Sequence, residues 1–241
     1  IDTLKKRNTA HFTRVVADQF ILFFEEKWNN GSIEAIKRIN NGFIERQQRK
    51  YPEAKLRLRT GVYKVEKDCD GASFAIDAAN YARRQIQDNS PETVCVYDKT
   101  MADLQNMENE IAIGLDKAIK NKEFKIYLQP RFSLTTGKIV GAESLVRWQR
   151  EDGTILPPDS FIPVYEKNGR IIDLDFYMFE ETVKLLANWK EQGIPQRLIS
   201  INASALHAQN SDTVHRYTTI LEKYGVDPAL IELELTETAT V

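Results

Sequence analysis

Residues Phe124 to Trp148 read FKIYLQPRFSLTTGKIVGAESLVRW, two strand-like runs with Thr135-Thr136-Gly137-Lys138 between them. Successive side chains of a strand point to opposite faces. In the second run, Gly141, Glu143, Leu145 and Arg147 therefore share one face, and Val140, Ala142, Ser144, Val146 and Trp148 share the other. One face is set up for chemistry and the other for packing. The connection is far shorter than a parallel crossover needs, so the two strands are expected to be antiparallel.

Beyond this pair the signals alternate. A Pro-rich turn leads into helices, of which Asp173 to Gln192 is the clearest, with Leu174, Met178, Leu185, Leu186 and Trp189 near one side and Gly193 and Pro195 ending it. RLISINAS follows as a strand, Ser211 to Tyr224 as a helix ended by Gly225, and LIELELTE as a last strand. Strand and helix in alternation predict an α/β fold with a parallel sheet or barrel. Asn202 and Glu234 fall between aliphatic neighbours, and Glu143 lies on the face opposite Val140, Ala142 and Val146, so all three lie on polar faces. If their strands are neighbours in a barrel, three oxygens converge at the C-terminal mouth, where such folds place their chemistry. Carboxylates and an amide carbonyl without His or Cys suit Mg²⁺, Mn²⁺ or Ca²⁺ rather than zinc. By composition alone, a polar residue on a strand is more often simply hydrogen-bonded.

The first hundred residues carry an α+β pattern. FTRVVADQFILFFEEK reads as a hairpin, Ile33 to Lys50 as a helix, KLRLRTGVYKVEK as a strand, Phe74 to Asp88 as a helix and TVCVYDK as a strand. Asn30 and Gly31 are expected to break the chain before the first helix, with Ser32 as its N-cap, and Asn89-Ser90-Pro91 to end the second. Between Ala102 and Lys122, Leu104, Met107, Ile111, Leu115, Ala118 and Ile119 recur at helical spacing. That helix either joins two domains or belongs to one domain's core, since periodicity does not say what it packs against.

The bulk numbers exclude several classes. The 241 residues allow two modest domains, and 33 basic against 35 acidic residues give no excess that would mark a nucleic-acid or anionic-membrane binder. Cys69 and Cys95 are far apart without zinc-ligand spacing. No run approaches the roughly 18 apolar residues of a membrane span and no signal peptide is evident, so a cytoplasmic location without membrane contact is expected. His11, His207 and His215 show no metal or triad spacing, and Trp28, Trp148 and Trp189 sit in apolar patterns expected in cores.

FKIYLQPRFSLTTGKIVGAESLVRW, PPDSFIPVYEKNGRI, SINASALHAQ and IELELTETA, in this order, resemble the successive blocks of the EAL family, phosphodiesterases that hydrolyse cyclic di-GMP to the linear dinucleotide. The resemblance runs from Phe124 to Val241 and implies a TIM-like barrel, incomplete in this chain. It implies that Glu143, Asn202 and Glu234 ligate Mg²⁺ or Mn²⁺, with water activated to attack phosphorus. It also implies that Arg147 grips a ligand phosphate, which a guanidinium fork suits. Gln129 is implied to read the ligand near a guanine, Leu145 to pack on a base, and Glu237 to act in catalysis by orienting the site. The motif departs from the family at Ser144, where alanine is usual. The family continues with an Asp-Asp block, a Lys and a Glu that are not in this sequence, so the 241 residues are expected to be a piece of a longer enzyme and inactive alone. The alternative expectation is a non-catalytic cyclic di-GMP receptor.

Around Val16 to Phe20, and again in DAANYARRQ and VCVYDKTM, the chain resembles diguanylate cyclase (GGDEF) domains in a degenerate form. Val16 and Ala17 stand where that family has glycines, and Gln19 stands where it has an acid. Side chains there are expected to block nucleotide approach and positive φ. Arg7 keeps the Arg of the family's inhibitory site, but Ala10 replaces its Asp. No cyclase activity is expected, whereas a regulatory or homodimerising role is compatible with the remnant. The implied layout is a GGDEF-like α+β domain over 1–101, a linker helix over 102–122 and an EAL-like domain over 123–241.

Overall fold

A computed structural model describes residues 10–25, 30–87, 90–209 and 211–236. The chain forms two compact units, Ile1–Gln105 and Asn106–Val241. Arg7, Trp28 and Glu237 lie outside the described residues.

In the first unit, β1 (Ala10–Val16) and β2 (Gln19–Phe24) pair antiparallel as the expected hairpin. Val16 opposes Gln19, so Ala17 and Asp18 alone make the turn, and Ala17 takes φ 44°. Two-residue hairpin loops need positive φ to match the strand twist. The expectation that Ala17 blocks that conformation is therefore corrected: strand pairing imposes it on alanine, against a penalty of about 1–2 kcal/mol. Helix α1 spans Asn30–Lys50, so Asn30, Gly31 and Ser32 are its first turn rather than a break and a cap. First-turn N–H groups have no intrahelical acceptor in any case, which makes these weak helix formers tolerable there.

Next, β3 (Thr60–Val62), α2 (Ala72–Arg84) and β4 (Val94–Val96) make a parallel crossover unit. The long strand expected over 55–67 shrinks to three residues, the number that β4 pairs with. Gly61 fixes the helix-to-strand distance: a Cβ there would lie 1.8 Å from the Ala79 carbonyl oxygen. Ala78, Tyr81, Ala82 and Val94 are buried, and Tyr63, Phe74, Tyr81 and Tyr97 meet edge to face.

Helix α3 runs Lys99–Lys120, and its later residues Ile111, Leu115 and Ala118 are buried in the second unit's core with Phe124, Trp148, Phe161 and Tyr165. Core membership, rather than a bare link, describes that part of the helix. Then come β5 (Phe124–Phe132), β6 (Ile139–Gln149), β7 (Ile155–Leu156), α4 (Pro158–Lys167), α5 (Ile171–Glu191), β8 (Leu198–Ser204), α6 (Thr213–Tyr224) and β9 (Ile231–Thr236). The strand order is β5-β6-β8-β9 with β7 beside β6; β5 is antiparallel to β6, and β6, β8 and β9 are parallel. The expected TIM-like barrel is present only as an open sheet among the described residues, five strands against the eight that close such a barrel.

The apolar face of this sheet lies under the helices. Ile199 and Ile201 pack with Phe176, Phe179, Val183 and Leu186 of α5 and with Tyr217 and Leu221 of α6. Each fully buried aliphatic side chain contributes about 1.5–3 kcal/mol of transfer free energy. Ser144 also faces the helices, 5% exposed, and its Oγ lies 3.1 Å from Thr182 Oγ1, which itself donates to the Met178 carbonyl at 2.9 Å. The serine hydroxyl is thus satisfied inside the packing face, as its strand parity requires.

Candidate functional site

The other face of the sheet is polar, and register places its residues. Gln129 opposes Glu143, Arg131 opposes Gly141, Glu143 opposes Ser200, and Asn202 opposes Glu234. All lie on alternate positions and so on one face. Asn202 and Glu234 sit in the C-terminal halves of their strands. Asn202 Nδ2 donates to Glu143 Oε1 at 2.8 Å. The structure therefore brings two of the three predicted ligands into direct contact and places Glu234 on the strand beside them. All three are partly exposed, within reach of a solute.

A glycine makes this crossing of strands possible. A Cβ on Gly141 would come within 2.6 Å of the Leu198 carbonyl oxygen, so no side chain fits there. The Arg131 side chain opposite reaches across the bare glycine: its Nη1 donates to Ser200 Oγ at 3.3 Å, Glu232 Oε2 at 3.0 Å and Glu234 Oε1 at 3.4 Å. On a flat sheet, three strand spacings of about 4.8 Å would separate β5 from β9 by about 14 Å. The Arg131 side chain bridges that span, joining the first and last strands of the β5-β6-β8-β9 order on the polar face.

Arg147, predicted to hold phosphate, is half-buried; its Nη1 donates to the Val146 carbonyl at 2.7 Å and its guanidinium lies 5.7 Å from the Tyr127 ring centre. These contacts restrain the side chain and leave guanidinium donors for an anion. Gln129 is exposed and Leu145, opposite Tyr127, is partly buried, both on the polar face.

The donor set fits a hard cation: two carboxylates and one amide carbonyl, all oxygen. A positive group is already drawn to it, since the Arg131 guanidinium sits against Glu234. Among the described residues no three His, Cys, Asp or Glu side chains gather into a cluster that could hold a metal ion.

Sequence reasoning missed two features. One is Arg131, although its two-residue spacing from Gln129 put it on the chemical face. The other lies just beyond Asn202. Asp175 Oδ2 accepts from the Ser204 backbone N–H at 2.8 Å and meets His207 Nε2 at 3.0 Å, fixing the chain where β8 ends. His207 is 4% exposed, and its Nδ1 has no partner among the described residues. Nothing in the spacing of His207 and Asp175 announces that pairing, because 32 residues separate them.

Residues 114–241 match the EAL domain family. The chain belongs to the EAL family. YkoW of Bacillus subtilis (strain 168), a signaling protein, is 32% identical to it over 165 residues, 68% of this chain and 20% of YkoW. PdeB of Escherichia coli (strain K12), named a probable cyclic di-GMP phosphodiesterase, is 37% identical over 123 residues, 51% of this chain and 24% of PdeB. This EAL chain thus spans about a fifth to a quarter of the length of these relatives. A solved S helix-GGDEF-EAL structure of Vibrio cholerae LapD, bound to c-di-GMP, shares its fold at TM-score 0.52 and 17% identity, covering 98% of this chain and 55% of that one. Among the described residues no helix is long and apolar enough to cross a membrane.

Proposed function

We propose that this chain is part of a divalent-metal-dependent phosphodiesterase that hydrolyses cyclic di-GMP to the linear dinucleotide. The observation that carries the reading is the 2.8 Å contact between Asn202 and Glu143, with Glu234 opposite Asn202 on the next strand, at three positions of the EAL blocks. Glu143, Asn202 and Glu234 would hold Mg²⁺ or Mn²⁺. Bound there, the ion would supply Lewis acidity toward a phosphoryl oxygen and lower the pKa of water. Arg147 would orient the phosphate through its free guanidinium donors, Gln129 would address a guanine edge, and Leu145 would cover a base. Glu237 would orient the site from one residue beyond β9.

The first unit is read as a degenerate GGDEF-like module without cyclase activity, regulatory or dimerising in role. Its hairpin, its parallel crossover and the likeness to the LapD fold over 98% of this chain support the fold part of this reading. Gln19 carries no charge to hold a metal where the family has an acid.

The test uses the full-length protein with cyclic di-GMP and Mg²⁺ or Mn²⁺, quantifying linear dinucleotide. Turnover that needs the metal and is lost in Glu143→Ala is expected. Nucleotide binding without turnover, independent of metal and unchanged by Glu143→Ala, would overturn the catalytic reading in favour of a receptor.

A further inference from the structure

Arg131 contributes one nitrogen to two acids of β9, and the two acids have different fates under the reading above. Glu234 is a proposed metal ligand; Glu232 is not. Nη1 lies 3.0 Å from Glu232 and 3.4 Å from Glu234. The Glu232 contact is the shorter, and Ser200 Oγ beside it is part of a residue with no exposure. A guanidinium and a divalent cation compete for the same carboxylate charge: each is stabilised by Glu234, and they repel one another at close range. The side chain reaches β9 across Gly141, which has no side chain to obstruct it, and Glu232 with Ser200 offers it a resting place one strand-repeat from Asn202 and Glu234 and level with Glu143.

We propose that Arg131 is an internal counter-ion of the metal site: it neutralises Glu234 when no metal is bound and withdraws onto Glu232 and Ser200 when a divalent cation binds, thereby setting the metal affinity. This rests on Glu143, Asn202 and Glu234 being the ligands. Arg131 is a positioning and tuning residue, and no contact with substrate is required of it.

The experiment is calorimetric titration of Mn²⁺ into the full-length protein without nucleotide, with circular dichroism to confirm folding of each variant. Arg131→Met and Arg131→Gln are expected to tighten Mn²⁺ binding by about three- to tenfold, since a competing charge is removed from a partly solvated site. Glu143→Gln is expected to weaken it at least about tenfold by loss of a charged ligand. Lys138→Met, an exposed cation in the β5–β6 turn, controls for net charge and is expected to change nothing. Glu232→Gln is expected to weaken binding in the wild-type background, by confining Arg131 to Glu234, and to have no such effect alongside Arg131→Met. Unchanged or weaker Mn²⁺ binding by both Arg131 variants, with Glu143→Gln still losing metal, overturns the inference and leaves the site reading standing. Absence of Mn²⁺ binding by the wild type, or indifference to Glu143→Gln, overturns the site reading and the inference with it.

Discussion

Asn202 Nδ2 donates to Glu143 Oε1 across 2.8 Å, although the two residues lie 59 positions apart and on neighbouring parallel strands. The contact joins the motif glutamate to the amide of the SINASALHAQ block. That bond uses the Asn202 nitrogen and leaves its amide oxygen as the donor for a cation. Asn202→Ala, which deletes that oxygen and leaves Glu143 solvated, is expected to lower phosphodiesterase activity of the full-length protein by about 10- to 100-fold, in the range of losses seen when a metal site is disturbed. Product formation measured across Mn²⁺ concentrations checks it: activity that saturates at wild-type metal levels would count against Asn202 as a ligand.

Gly141→Ala is expected to destabilise the second unit by about 1–3 kcal/mol, the usual range for inserting atoms into a filled space. The added methyl would meet the Leu198 carbonyl, backbone that cannot swing aside. Urea denaturation followed by Trp fluorescence reports this, because Trp148 lies in that unit's core. A variant as stable as the parent would show that β6 and β8 separate there at little cost.

Ala17→Gly is expected to stabilise the hairpin by up to about 1 kcal/mol, since glycine adopts positive φ without the Cβ clash. Part of the gain is offset by the greater freedom of glycine in the unfolded chain. Hydrogen exchange of the β1 and β2 amides is the appropriate readout, with slower exchange in the variant as the supporting result.

Glu180 couples α5 to α6, accepting hydrogen bonds from Lys223 Nζ at 2.8 Å and from the Tyr224 hydroxyl at 2.7 Å. These bonds, first that from Lys223, hold its carboxyl below the ordinary 4.5. A depressed folded-state value means that the stabilisation is fully present above the unfolded value and is lost as pH falls through the folded one. Thermal unfolding of wild type is therefore expected to lose stability below about pH 4.5 more steeply than Glu180→Gln does. Parallel pH profiles for the two proteins would remove this carboxylate from the acid response.

Much of the second unit was legible before its structure. The parity of Ile139 to Trp148 placed Glu143 and Ser144 on opposite faces, and Ser144 indeed meets Thr182 under the helices while Glu143 meets Asn202 in the open. In the first unit, the run 55–67 looked like one long strand, but β4 pairs only Thr60–Val62. Local propensity proposes a strand, and a partner decides how much of it forms.

Alternation along each strand is a local property of backbone geometry, so the sequence by itself determined which side chains share a face, that β5 and β6 are antiparallel, and which oxygens could form a site. Register between strands distant in the chain, and the contacts made across the sheet, are not local. They depend on how Ile199, Ile201 and their neighbours pack beneath α5 and α6, and on the close approach that Gly141 allows. Only the tertiary structure could therefore seat Asn202 against Glu143 and carry Arg131 across to Glu232 and Glu234. Their energies come from charges brought together by packing, which no spacing in the sequence encodes.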